Sequence, residues 1–496
     1  MRPNLKLIGF LATICVICIA AQSTVYAADE YGHTDFHASG SAEAYGVFLQ
    51  GLLQLHNFEY ADARASFQNA RHIDSDFVMA WWGEALTWWH PLWPSTDLDA
   101  ARAILKQMGP TSKARVAMGQ TQRERDYLAT IETLFAEGDR KSRRFAYSDQ
   151  LKSLHEKYPD DLDAAAFYAL SILAKSDGRK YHYYMQAGAI TEEILDRNPL
   201  HPGGLHYNIH SYDDTIHAPL GLRAARNYFK VAPSAIHALH MGAHIYYATG
   251  NWQLGLERNI DSFEEAVSRM QDPNAPYHPE TFHSLHWIPY GFQQIGDHDK
   301  AKQYIAKIAS QAQQYADVHP MARTVFIETR ASYIVDTQDW ESELLEQPVD
   351  LSNLSEYSVA TDHYVRGLSA LKLGQIDKAR NYLIKIGDPT LPKEGPRTAM
   401  GAAILKMALE AQIALVDGEK DKALRLLNQA TEIDLDWPAE AGPIKPVQPM
   451  AELLADTYLT LGDRRNAKKF YDLTQLYSVG RARTLAGLKK LETGEQ

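Results

Sequence analysis

Cysteine is almost missing from this chain: there are two in 496 residues, Cys15 and Cys18, and both fall in the first 27. That opening stretch has a basic start (Arg2, Lys6), an apolar run from Leu7 to Ala21, and Val25-Tyr26-Ala27 ahead of Ala28. It reads as a cleavable secretory signal, so a periplasmic or secreted protein is expected. Cleavage after Ala27 removes both cysteines and two positive charges, which excludes disulfide staples and takes the formal charge from -12 to -14. No second apolar run reaches the roughly 18–20 residues needed to cross a bilayer, so no transmembrane segment is expected after cleavage. An excess of basic charge is lacking too. The 50 Lys and Arg against 62 Asp and Glu argue against a general nucleic-acid binder and against a polybasic lipid anchor. Neither G-x-S-x-G, H-E-x-x-H, a P-loop nor a dinucleotide glycine fingerprint occurs, so the common hydrolase, metalloprotease and nucleotide-binding classes have no motif behind them.

Alternating β-branched runs are missing as well, whereas apolar spacing of three and four recurs in Ala164 to Leu173, Ala399 to Leu415 and Met450 to Leu461. Internal repetition is present. Gly51, Tyr60, Ala63, Phe67 and Ala70 set a pattern near the start. It returns in part as Gly296 with Ala301 and Ile305, Gly374 with Ala379 and Leu383, Gly418 with Ala423 and Leu427, and Gly462 with Ala467 and Tyr471. In the middle, Pro199 and Pro233, His206 and His240, His210 and His244, Leu220 and Leu254, and Gly221 and Gly255 are each 34 residues apart without a gap. This spacing resembles the tetratricopeptide repeat (TPR), a helix pair whose small residues sit where two helices touch. The resemblance covers most of residues 45–480. It implies an all-α fold, a right-handed α-solenoid of TPR-like helix pairs, with the first helix of each pair lining a concave groove. The expected organisation is a signal at 1–27, an N-terminal arm at 28–44, a solenoid with a histidine-rich concave face at 45–345, and C-terminal TPR-like repeats at 346–496. Softer joints are expected at Gln338 to Tyr357 and at Trp437 to Pro449.

Eleven of the 20 histidines fall between His201 and His298. Placed on the repeat framework, His206 and His210 stand level with His240 and His244, and His237 lies on the same inner stripe. In the following repeat His283 and His286 stand level with His237 and His240, and Tyr290 with His244. Seven imidazoles and a phenol are thus expected on one patch. A pair at four-residue spacing sits about 6 Å apart along a helix, within reach of one ion. Imidazole suits zinc, copper, iron and nickel. Asp213 and Asp214 close the first of these helices and are candidate ligands or acceptors that hold a histidine tautomer. A lone histidine on such a face is ordinarily a hydrogen-bonded groove residue, but recurrence on one stripe in three adjacent repeats points to a shared site.

Five of the nine tryptophans lie in Trp81 to Trp93. Core packing explains such a run, and Trp82, Trp89 and His90 on the inner stripe are also candidates for an aromatic wall around a ligand. His33 and His37 on the arm are expected to be solvated. The segments Trp81-Trp82-Gly83-Glu84, His201 to Asp214 and His237 to His244 resemble those of exported bacterial TPR proteins. The family likeness implies a scaffold that takes a protein, a peptide or a small ligand in its groove. The histidine stripe adds a polar or metal site holding a transition metal such as Zn, Cu or Fe. The alternative is a metal-dependent enzyme with its active site on the concave face of residues 201–294, assisted by Tyr290, Asp213 or Asp214.

Overall fold

Five helix pairs turn on a glycine with a left-handed backbone, and that requirement explains the glycine spacing. Gly250, Gly296, Gly374, Gly418 and Gly462 have φ between 73° and 83°. At Gly374 the amide donates to Leu371 O at 3.0 Å and the next amide, Gln375 N–H, reaches Ala370 O at 2.8 Å. The same two bonds recur at the other four turns, closing the first helix with its last carbonyls satisfied. Five residues on, Ala301, Ala379, Ala423 and Ala467 are fully buried where the second helix crosses the first. Gly255 takes that place after Gly250, and a Cβ there would stand 2.3 Å from the Tyr247 ring. A Cβ at Gly221, 34 residues earlier, would stand 2.7 Å from Ile245, so both glycines mark close approaches to the helix Ile236–Ala248, one from each side of it in sequence.

The computed structural model describes residues 30–93, 95–176, 180–315, 317, 320–389, 397–436 and 442–493. The expected signal at 1–27 lies outside the described residues, as does part of the Trp437 to Pro449 joint. Among the described residues no strand forms, and the architecture is an all-α, right-handed solenoid of TPR-like helix pairs, each helix packing chiefly on its neighbours in sequence. An isolated bridge between Trp89 and Thr96 interrupts the helical pattern. Three features shape the groove.

The first is the arm. It runs extended with Tyr31, Thr34 and Phe36 buried while His33, Asp35 and His37 face solvent. The second is the return of the C-terminal repeat onto the middle of the chain. Trp252 Nε1 donates to Gly480 O at 3.0 Å, and Arg481, fully buried, pairs with Glu452 at 2.9 Å and with Asp336. The third is the first turn, where Phe58 stands in the position glycine holds elsewhere. Its φ is 62°. Phe58 N–H bonds Leu55 O at 3.1 Å, Glu59 N–H bonds Gln54 O at 3.0 Å, and buried Ala63 follows five residues on. A bulky side chain in the left-handed region is strained, and such strain concentrates at sites of function.

Candidate metal centre

Helices Pro202–Tyr212, Ile236–Ala248 and Pro279–Gln294 are consecutive inner helices, and they bring two groups of three imidazoles together. His240, His244 and His283 form one; His206, His210 and His237 form the other. Within each group the ligand nitrogens all lie within 4.8 Å of one another.

Hydrogen bonding behind the first group determines which nitrogens are free. His240 Nδ1 lies 2.6 Å from Asn259 Oδ1, and the Asn259 amide donates to Gly255 O at 2.9 Å. The Asn259 oxygen is therefore the acceptor, and His240 carries its hydrogen on Nδ1. His244 Nδ1 lies 2.7 Å from Asp213 Oδ2, a carboxylate that accepts. Both rings thus spend their Nδ1 hydrogen on a fixed acceptor, and their Nε2 atoms face each other at 2.9 Å. Two lone pairs at that distance repel unless a proton or a metal ion stands between them. Burial works against the proton, holding His240 well below the ordinary imidazole value, and the neighbouring His283 and His244 add to the effect. An acceptor that fixes the ring and leaves Nε2 bare is the usual support behind a metal-ligating histidine. His283 completes the set, its ring centroid 4.3 Å from that of His240. Its surface is open to the groove, yet the concave wall encloses it, and desolvation lowers it to about 3.

The second group repeats the plan. His206 Nδ1 donates to His56 O at 2.7 Å, so its Nε2 is free, and that atom lies 3.1 Å from His210 Nε2. Complete burial lowers His206 to about 3. His237 Nε2 is buried without a hydrogen-bond partner, and its ring lies 4.9 Å from His206 and 6.0 Å from His210. The Phe58 ring covers this group, 5.5 Å from His237 and 6.0 Å from His210, both stacked. Trp93 adds a half-exposed wall 5.6 Å from His237. On the other group Trp287 plays the same part, 4.9 Å from His240 and 4.5 Å from His244.

A third set, His56, Asp163 and His201, lies fully buried behind His206. Most of its polar atoms are matched within the protein, while His201 Nε2 lies 3.5 Å from Asp163 without a hydrogen-bond partner. His56 bonds Asp163 at 2.9 Å and Tyr207 Oη at 3.0 Å, Thr34 donates to Asp163 at 2.6 Å, and Gly204 N–H donates to His201 Nδ1 at 3.2 Å. Asp163 is held far below the usual carboxylate range by those two imidazoles, against the cost of its burial. This set anchors the carbonyl that orients His206 and ties the arm to the solenoid.

The remaining candidates belong to neither triad, though His286 and Asp214 line the cavity beside His244 and His283. His286 turns to Glu328, 3.3 Å away, and burial lowers it to about 4. Tyr290 is buried against Tyr247 and Trp252, with Arg481 donating to its hydroxyl at 3.2 Å. Both residues are drawn toward the following repeats. Asp213 reaches the site through His244, whereas Asp214 closes a turn, accepting from the Ile216 and His217 amides at 2.9 Å. Trp82 packs on Phe36, Tyr127 and Phe167 in the core, and Trp89 meets Tyr147 edge-on. His90 stacks on Tyr60 at 4.1 Å, and Tyr60 in turn on Phe58, which places it one ring behind the second group. Sequence reasoning missed Phe58, Trp93, Asn259 and the buried set of His56, Asp163 and His201. Trp93 had a signal, as the last tryptophan of the run, and His201 lies within the histidine-rich segment, whereas His56, Phe58 and Asp163 lie far from the stripe in sequence.

A cavity of about 400 Å³ opens beside His244 and His283. Tyr247, Trp252, Trp287 and Ile444 give it an apolar side, and Asp214, Asp434 and Lys445 a charged rim. The C-terminal repeat supplies its far wall through Pro449 and Ser478.

No family model matches the chain, and no curated protein matches it. Solved helical-repeat structures align along most of its length. The Cut9–Hcn1 heterotetramer of the APC/C is 12% identical, covering 92% of this chain and 78% of that one, with a TM-score of 0.34. A human IFIT1 dimer bound to m7Gppp-AAAA is 12% identical, covering 92% of each chain, with a TM-score of 0.35. Yeast Tom70 is 8% identical, covering 92% and 89%, with a TM-score of 0.33. Superpositions this loose say nothing about activity, and the repeat architecture rests on the turns and helix crossings of this chain itself.

Proposed function

We propose that this chain is an exported, TPR-like metalloprotein that holds a transition-metal ion at His240, His244 and His283 on its concave face. The observation that carries the reading is the 2.9 Å approach of two Nε2 atoms whose Nδ1 hydrogens are already committed to Asn259 and Asp213. Three imidazoles leave the coordination sphere of an ion incomplete, as in sites where a water or substrate takes the fourth position. The adjoining cavity favours a small ligand with an apolar body over an extended peptide at that position, so metal-assisted chemistry on a small molecule is the extension of this reading. The groove as a whole remains suited to a protein partner. Pull-downs from envelope extract with His206, His240 and His244 changed to Ala separate the two: unchanged partners mean that protein capture does not use these histidines.

The direct test is metal content by mass spectrometry on untagged protein from its native compartment, beside a His240→Ala/His244→Ala variant whose helicity is verified. Near-stoichiometric metal that the variant loses is expected. A folded wild type that carries no metal, and takes up neither zinc nor copper when offered, would return the 2.9 Å contact to a shared proton.

A further inference from the structure

The repeat that builds one triad builds the other. Each consists of a pair four residues apart on one inner helix, His206 with His210 and then His240 with His244, completed by a single imidazole from the next inner helix, His237 and then His283. The pairs are 34 residues apart, one repeat length. The series stops there because His286 and Tyr290, in the third register, are bound to Glu328 and Arg481. The two triads also adjoin. The His237 ring stands 4.9 Å from His206 in its own triad, 6.4 Å from His240 and 6.2 Å from His283 in the other, parallel to the last within 21°.

We propose that the two triads hold two copper ions of one binuclear centre, bridged by a single small oxygen-donor ligand. The proposal rests on the metal-binding reading of His240, His244 and His283 and extends it to a pair. The donor set favours copper. All six ligands are imidazoles, with no carboxylate or thiolate in either triad, and among the divalent ions such nitrogen donors serve, copper binds most tightly. Two adjacent cations on neutral donors repel, so a shared anion such as hydroxide is required, and Asp213 behind His244 contributes a fixed negative charge. The aromatic cover is duplicated with the ligands, Phe58 and Trp93 against one triad and Trp287 against the other.

The test uses the full chain, stripped with a chelator and reloaded with Cu(II), then assayed for copper per chain and for its electron paramagnetic resonance signal. Bridged Cu(II) ions couple their unpaired spins, so the wild type is expected to bind two copper ions and show little or no signal. His210→Ala and His283→Ala, both at accessible positions, are each expected to bind one copper with a full mononuclear signal. Two coppers with full signal in the wild type would mean separate sites and overturn the bridge. One copper in the wild type would overturn the pair while leaving the metal reading of the previous section intact. No copper would overturn the pair, and no uptake of zinc either would overturn the metal reading with it.

Discussion

The Phe58 ring meets the His206 imidazole edge-on with 4.3 Å between centroids, and it does so from a backbone position that five other turns of this protein give to glycine. The left-handed φ of 62° disfavours any Cβ, while the buried ring offsets that cost by packing on His206, His237 and Tyr60.

The backbone part of this balance can be isolated. Removing the ring should cost about 3–5 kcal/mol in either small variant. Phe58→Gly is nevertheless expected to be the more stable of the two by about 1 kcal/mol over Phe58→Ala, because glycine alone adopts this φ freely. Urea unfolding of both variants measures the difference. An alanine variant as stable as the glycine one would show that the turn relaxes out of the left-handed region.

Asp213 acts on the metal through His244 and does not touch the ion in this arrangement. Asp213→Ala is expected to weaken binding at His240, His244 and His283 about 10–100-fold, the usual effect of losing the acceptor behind a ligating imidazole. Competitive titration with a chromophoric chelator gives the affinity. Unchanged affinity would mean that the His244 ring is held without the carboxylate.

Acid sensitivity follows from the buried imidazoles. Burial lowers the folded-state value of His206 to about 3, below the ordinary 6.5 of the unfolded chain, so the unfolded state takes up protons first as pH falls. Its contribution to stability is complete above 6.5 and is lost progressively from there toward 3. For the fully buried His206 alone the loss between pH 7 and pH 5 is about 2 kcal/mol. Denaturant unfolding of the chelator-stripped protein at pH 7, 6 and 5 is expected to show this decline, with a shallower slope in His206→Asn. A flat profile would contradict the neutral, buried state of the cluster.

Tyr290 and Arg481 join the middle repeats to the C-terminal one. Tyr290→Phe is expected to cost about 1 kcal/mol for one hydrogen bond while leaving metal content unchanged. Arg481→Ala leaves Glu452 to Arg483 and Thr484 and Asp336 to Gln294, and with the buried guanidinium gone is expected to cost about 3 kcal/mol. Loss of metal in Tyr290→Phe at full helicity would place the phenol at the site after all.

The helical solenoid was legible because the turn chemistry is local. A glycine at the left-handed position and an alanine five residues on are demanded by single-turn geometry and helix crossing, so they recur visibly at Gly296, Gly374, Gly418 and Gly462. The histidine stripe was legible for the same reason, since helical period and a 34-residue repeat suffice to align His206 with His240 and His210 with His244. Register alone could not say where His286 and Tyr290 point. Glu328 and Arg481, from later repeats, draw them away from the patch. Trp82 and Trp89 likewise lie on the anticipated face of their segment, yet the arm residue Phe36 and the ring of Tyr147 close over them.

By itself, then, the sequence determined the all-helical repeat and the concentration of imidazoles on one inner stripe, because both follow from periodicities no longer than one repeat. Which of those imidazoles expose a bare nitrogen, and which three share a centre, was decided only by the tertiary structure. The acceptors behind them, Asn259, Asp213 and the His56 carbonyl, come from other helices and loops, in one case 150 residues away. A hydrogen bond to one ring nitrogen sets the chemistry of the other, and that partner is supplied by packing that no local pattern encodes.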